Sequence, residues 1–187
     1  LDMRMDPDSG TSASNFIQHV DQKELIRVLR QFGEETHAMR IARAICDARV
    51  DAQIETTGQL ARIVEAAVPA KARAKKKHPA TKTFQAIRIA INGELEQLTA
   101  VLEQSIDVLK QGGRLCVISF HSLEDRIVKR FMRDASREPE QYRGMPSIPE
   151  EFQPKLRTVG KAIVASSEEI EINRRARSAR LRIAERM

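Results

Sequence analysis

The chain has 187 residues and a formal net charge of +6, with 41% hydrophobic, 31% charged and 4% aromatic residues. That length suits one domain, or one domain with a small insertion, and the apolar content excludes a disordered chain. The basic balance favours a polyanion such as a nucleic acid as partner, the few aromatics argue against a broad stacking platform, and no stretch has the form of a membrane span or a signal peptide.

Leu1–Asp6 reads LDMRMD and runs into a turn at Pro7-Asp8-Ser9-Gly10. It is either a charged loop with an internal ion pair or a solvated leader. From Thr11 the pattern becomes helical. Asp21 to Phe32 places Leu25, Ile26, Val28, Leu29 and Phe32 on one face, and Glu34 to Ala48 does the same with Ala38, Ile41, Ala42 and Ile45. Gly33 between them predicts an αα-hairpin. Thr56 or Thr57 can cap a third helix that ends at Pro69. Residues 12–94 read as an all-helical module.

Lys71, Arg73, Lys75, Lys76, Lys77 and Lys82 fall within one short segment. They form either a loop that neutralises phosphates or a solvated connection between helices. Pro79 suits the first turn of the next helix, which carries Phe84, Ile87 and Ile91 inward. The period continues through Leu95, Leu98, Val101, Leu102, Ile106 and Leu109 towards Gly112, as a helix packed on a sheet.

Gly112 to Arg133 predicts a strand, a sharp turn and a helix. The run Leu115-Cys116-Val117-Ile118 suits a strand buried on both faces. Ser122-Leu123-Glu124-Asp125 has the S-x-x-[DE] form of a capping box. Asp134 to Pro154 reads as a surface loop. Lys155 to Ser166 reads as a strand or strand pair broken at Gly160, Ser167 to Ile172 as an acidic turn, and Asn173 to Arg180 as a basic loop. Leu181 to Glu185 alternates as an edge strand does. Cys46 and Cys116 lack partner spacing and read as reduced core thiols, which fits a cytoplasmic protein and leaves no metal site. Three strands are few for an α/β sheet, and no G-x-G-x-x-G or P-loop pattern occurs. With no initiator Met, the expectation is the carboxyl-terminal part of something longer.

LDMRMD at 1–6, RIARAI at 40–45, HPATKTFQAIRIAINGEL at 78–95, GGRLCVISFHSLEDRIVKRFMR at 112–133 and ARSARLRIAER at 176–186 stand in order along nearly the whole chain. Together they closely resemble the bacterial 16S ribosomal RNA cytosine-N4 methyltransferase family. The resemblance implies an α/β fold: an incomplete class I (Rossmann-like) methyltransferase sheet with an inserted all-helical domain. Residues 1–11 and 95–187 would belong to the methyltransferase domain and 12–94 to the insertion. It implies S-adenosyl-L-methionine as methyl donor, and small-subunit ribosomal RNA or the assembled small subunit as partner. The family's cofactor-binding elements precede LDMRMD, so no residue here is assigned to the cofactor. The isolated chain is expected neither to bind the donor nor to methylate RNA. The alternative is a non-catalytic, basic RNA-binding or ribosome-assembly module. Oligomeric state stays open, including a homodimer paired through an exposed sheet edge.

Few residues are candidates for the chemistry. The exocyclic amine of cytosine is a poor nucleophile, so transfer needs the amine held in line and a proton removed. His121 lies on the turn after the central strand, as a functional group or as a partner of that turn. Ser122 is a helix cap or a substrate contact, and Glu124 and Asp125 can serve the cap. Asp2 and Asp6, flanking Arg4, either position the target or form an internal ion pair. His78, Thr81, Lys82, Thr83 and Arg88 are candidate RNA contacts, with Lys75 to Lys77 in support. Arg88 and Asn92 could instead bridge helices. Arg174, Arg175 and Arg177 form a second cationic loop suited to phosphate.

Overall fold

In the computed structural model, all residues are described except 71–77, 139, 143 and 146, and Glu151 is described in its main chain only. The chain forms two compact units, Leu1–Glu94 and Leu95–Met187.

The first unit is helical: α1 (Ala13–His19), α2 (Gln22–Gln31), α3 (Ala38–Asp51), α4 (Thr57–Ala67) and α5 (Thr81–Asn92). Local chemistry sets the helix starts. Ser12 and Asp21 accept from backbone N–H groups of α1 and α2, and Thr56 with Gln59 makes a complete capping box for α4. Ile17, Leu25, Leu29, Ile41, Ile45, Leu60 and Ile87 are fully buried and form the core. α2 packs on α3 and α5, and α3 packs on α4. The close approach of α2 and α5 depends on Gly33: a Cβ there would lie 2.7 Å from the Leu29 carbonyl oxygen and 2.8 Å from that of Lys82. Gly93, at φ +59°, ends α5 in the left-handed conformation that glycine adopts without strain.

The second unit contains α6 (Glu94–Val108) from Leu95 onward, β1 (Arg114–Ser119), α7 (Ser122–Ala135), β2 (Leu156–Thr158), β3 (Ile163–Val164), α8 (Ser167–Ile172) and β4 (Arg180–Arg186). β4 is central: β1 lies on one side, β2 and β3 lie on the other, and every pairing is antiparallel. Leu102, Val128, Met132, Leu156 and Ala184 form the core, with Leu115, Val117 and Phe131 packed on it.

Four expectations are corrected here. β1 is covered on one face only among the described residues: Leu115 and Val117 face the core, while Cys116 is exposed and Ile118 is 57% exposed. Cys116 is therefore a surface thiol rather than a core one. β4 is central rather than an edge strand; its edge-like alternation arises because Arg182 is held by a carboxylate beside the buried Ala184. Residues 167–172 form a short helix, with Ser166 accepting from the Glu169 N–H at 3.2 Å.

Candidate functional site

In the first unit, the Leu1–Asp6 loop is fastened to the helices by its main chain. Ala13 N–H donates to the Asp2 carbonyl at 2.6 Å, and Ser14 N–H donates to that of Leu1 at 2.8 Å. The Asn92 side chain secures the next stretch. Its Oδ1 accepts from Met5 N–H at 2.7 Å, and its Nδ2 donates to the carbonyls of Met3 at 2.9 Å and Arg88 at 2.8 Å. Between these anchors Met3 sits at φ +68°, a conformation rare for a side-chain-bearing residue. Arg4, the residue between them, forms a bidentate pair with Asp2: Nε to Oδ1 at 2.7 Å and Nη2 to Oδ2 at 2.9 Å. This hydrogen-bonded guanidinium lowers the Asp2 carboxyl to about 2. Asp6 is held below the ordinary range by the Asp8 N–H and the Ser9 hydroxyl. Asp2, Arg4 and Asn92 are thus brought together as one built turn.

At the start of α5, Thr81 donates from its hydroxyl to the His78 carbonyl at 2.8 Å, and His78 Nδ1 accepts from Ala80 N–H at 3.2 Å. His78, Thr81 and Lys82 are exposed. Lys82 Nζ donates to the Glu34 carbonyl at 2.7 Å, at a turn where Glu34 adopts φ +47°. Thr83 is fully buried and its hydroxyl has no hydrogen-bond partner, so its side chain faces the core rather than solvent. Arg88 makes a bidentate pair with Glu94, at 2.7 and 2.8 Å. Lys71, Arg73 and Lys75 to Lys77 lie outside the described residues.

In the second unit, the turn after β1 departs from the sequence pattern by one residue. The helix cap is His121, and Ser122 is the first residue of α7. His121 Nδ1 accepts from Glu124 N–H at 3.4 Å, while Glu124 Oε2 accepts from Phe120 N–H at 2.8 Å and His121 N–H at 3.1 Å. The imidazole fills the capping role that the pattern gave to Ser122, because its Nδ1 offers the same acceptor geometry. That acceptor role leaves the ring proton on Nε2, 3.3 Å from Glu124 Oε1. A carboxylate therefore already occupies the amide-rich start of α7. The N–H groups of Phe120, His121 and Glu124 are therefore not presented to an anionic ligand.

Asp125 has a role that its spacing gave no sign of. It accepts from Arg182 Nε at 2.7 Å and Nη2 at 3.1 Å, with Arg180 Nη1 at 3.5 Å. The Arg182 hydrogen bonds hold its carboxyl below the ordinary value. The pair ties the start of α7 to β4. Arg174, Arg175 and Arg177 are exposed on a 3-10 turn capped by Asn173. No described helix is long and apolar enough to cross a membrane.

A Methylococcus capsulatus protein called ribosomal RNA small subunit methyltransferase H is 54% identical over 186 residues, which is all of this chain and 60% of that protein. Proteins of the same name from Hydrogenovibrio crunogenus and Exiguobacterium sibiricum are 53% and 50% identical, with 59% and 60% of their lengths covered. The chain thus spans about 60% of the length of the curated relatives it matches. The model of the MraW methylase family matches residues 1–187, and the chain belongs to that family of methyltransferases.

Proposed function

We propose that the whole protein methylates the exocyclic N4 of a cytidine in small-subunit ribosomal RNA in the cytoplasm, with S-adenosyl-L-methionine as donor. In this reading the chain supplies the part that grips the target. The supporting observation is the built turn at Met3–Asp6, where Asn92 fixes the main chain on both sides of Arg4, the partner of Asp2. A turn strained at Met3 and clamped this firmly suits positioning, since strain of this kind persists where the surroundings over-determine it.

The amine lone pair of cytosine is delocalised into the ring, so the gain available to a protein is orientation and stabilisation of developing positive charge. Asp2 and Asp6 supply negative charge for that purpose, with Arg4 holding Asp2 in place. His78, Thr81 and Lys82 offer exposed donors for phosphate or base edges. Arg88, Asn92 and Thr83 support the surface from within, through Glu94, the Met3–Met5 turn and the core respectively. A proton-accepting role for His121 requires its Nδ1 to release the Glu124 N–H first. The fold that goes with this reading is an incomplete Rossmann-like sheet from residues 1–11 and 95–187, with 12–94 as an inserted helical domain. No residue of the chain is assigned to the donor.

The test is incubation of the whole protein with labelled S-adenosyl-L-methionine and purified small subunits, followed by nucleoside analysis. N4-methylcytidine is expected; label on another nucleoside, or on none, overturns the reading. Titration calorimetry of the 187-residue chain with the donor is expected to show no binding, and a micromolar isotherm would remove the assignment of the donor site to another part of the protein.

A further inference from the structure

We propose that the solvent face of α7 is a docking surface for the RNA phosphate backbone, carried by Lys129, Arg130, Arg133 and Arg137. The inference rests on the ribosomal-RNA reading above and adds a contact to it.

α7 runs for 14 residues and divides cleanly into two faces. Leu123, Val128 and Met132 are buried against the sheet. Ser122, Arg126, Lys129, Arg130 and Arg133 are exposed, and Arg137 follows just past the helix end, also exposed. These positions recur at the three- and four-residue spacing that lines one side of a helix. Two acids of the same helix are turned to internal tasks. Glu124 closes the capping box, and Asp125 holds Arg182. Asp134 pairs with Arg133 at 2.7 Å and lies close enough to Arg130 and Arg137 for both to favour its charged form. Cations therefore outnumber carboxylates on this face. Lys155 adds to the same end: its N–H donates to the Ala135 carbonyl at 3.0 Å, and the residue is exposed.

Folding accounts for only part of this row. Lys129 lies near Asp125, and Arg130 and Arg137 lie near Asp134, close enough to favour the charged forms of those carboxylates. The single carboxylate of Asp134 serves Arg130, Arg133 and Arg137 together, so positive charge stays in excess on this face. The chemistry of the face also selects the partner. An acidic protein would need an apolar centre to the interface, and the exposed positions named here supply none. A membrane surface would need the apolar side of the helix, which is buried in the core. A phosphate backbone needs only spaced cations with freedom to adjust. Lys129 to Arg137 spans roughly 12 Å at 1.5 Å per residue, enough for two or three consecutive phosphates. Such contacts set position and carry no sequence preference.

The test is filter binding of the 187-residue chain to small-subunit ribosomal RNA across a salt series. A variant carrying Lys129→Gln, Arg130→Gln and Arg137→Gln is expected to flatten the plot of log affinity against log salt by about 2 units, at roughly 0.7 to 0.9 per lost phosphate contact. A second variant with Lys129→Arg, Arg130→Lys and Arg137→Lys is expected to keep the wild-type slope. Circular dichroism of both is expected to match wild type, since the substituted side chains are exposed. An unchanged slope in the Gln variant, with wild type binding normally, overturns the docking surface and leaves the RNA reading standing. So does loss of polyglutamate binding with RNA binding intact, which assigns the face to an acidic protein. Failure of wild type to bind the RNA at all overturns both.

Discussion

The side-chain amide of Asn92 donates to the main-chain carbonyl of Met3 at 2.9 Å, although the two residues stand 89 positions apart. With the Met5 N–H returning to the same amide, the Asn92 side chain acts as a short strand against which the loop pairs. Asn92→Ala removes these bonds and leaves two backbone groups without their partner, so a loss of about 1–3 kcal/mol is expected. Denaturant unfolding measures the loss, and the Met5 amide is expected to exchange with solvent much faster than in wild type. Unchanged exchange at Met5 would show that the loop holds itself.

At Gly33 the added methyl of Gly33→Ala would meet two backbone carbonyls, at 2.7 and 2.8 Å, rather than a side-chain end that can swing away. α2 and α5 must then move apart, at about 1–3 kcal/mol. Thermal denaturation is expected to show a lower midpoint. A midpoint at or above the wild-type value would mean that the helices have slack at this contact.

Thr83 is expected to tolerate Thr83→Val well. The hydroxyl is buried without a partner, and replacing it with a methyl of similar size removes a desolvated polar group. Stability is expected to rise by about 1 kcal/mol, with RNA binding unchanged. A drop in RNA binding alone would return Thr83 to the set of direct contacts.

His121→Asn is expected to keep the stability of the second unit to within about 0.5 kcal/mol, because Asn is among the best helix N-caps. His121→Ala is expected to lose about 1 kcal/mol by the same measure. Equal melting of both variants with wild type would exclude a capping role for the imidazole.

Arg182→Ala leaves the Asp125 carboxylate, 13% exposed, without its bidentate partner and with only the more distant charges of Arg180 and Lys129, and a loss of about 1–3 kcal/mol is expected at neutral pH. The folded-state value of Asp125 is lowered, so its contribution is complete above the ordinary carboxyl value of about 3.9 and fades as pH falls towards the lowered one. The gap between wild type and variant is therefore expected to narrow below about pH 4. Urea midpoints for both proteins at pH 7 and pH 3 provide the comparison, and a gap independent of pH would assign the loss to packing.

The helices of the first unit were legible because their signals are local. Thr56, one of the two candidates, caps the third helix, and the apolar period of α2 and α3 marks their buried sides. The sheet was less legible because its order depends on partners far apart in sequence. Nothing local in Leu181–Glu185 tells that the strand is flanked on both sides, and an arginine in its middle looks like an edge until Asp125 is found beside it. The candidate site divides the same way. The Asp2–Arg4 pair lies within the reach of one loop and was one of two readings of LDMRMD. The clamp by Asn92 joins segments with no pattern between them. The capping box was read from its residue types, and the one-residue shift to His121 arises because that pattern does not count imidazole among its acceptors.

β1, β2 and β3 all hydrogen-bond to β4, which is synthesised after every one of them. During translation, Arg114–Ser119 can be fully out of the exit channel and still have no strand to lie against until Arg180–Arg186 follows. The second unit must therefore wait in an open form while the helices of the first, whose contacts are nearer in sequence, are free to settle. Ile118 and Cys116 stay unpaired in that interval, which makes the growing chain, rather than the finished one, the form most prone to sticking to its neighbours.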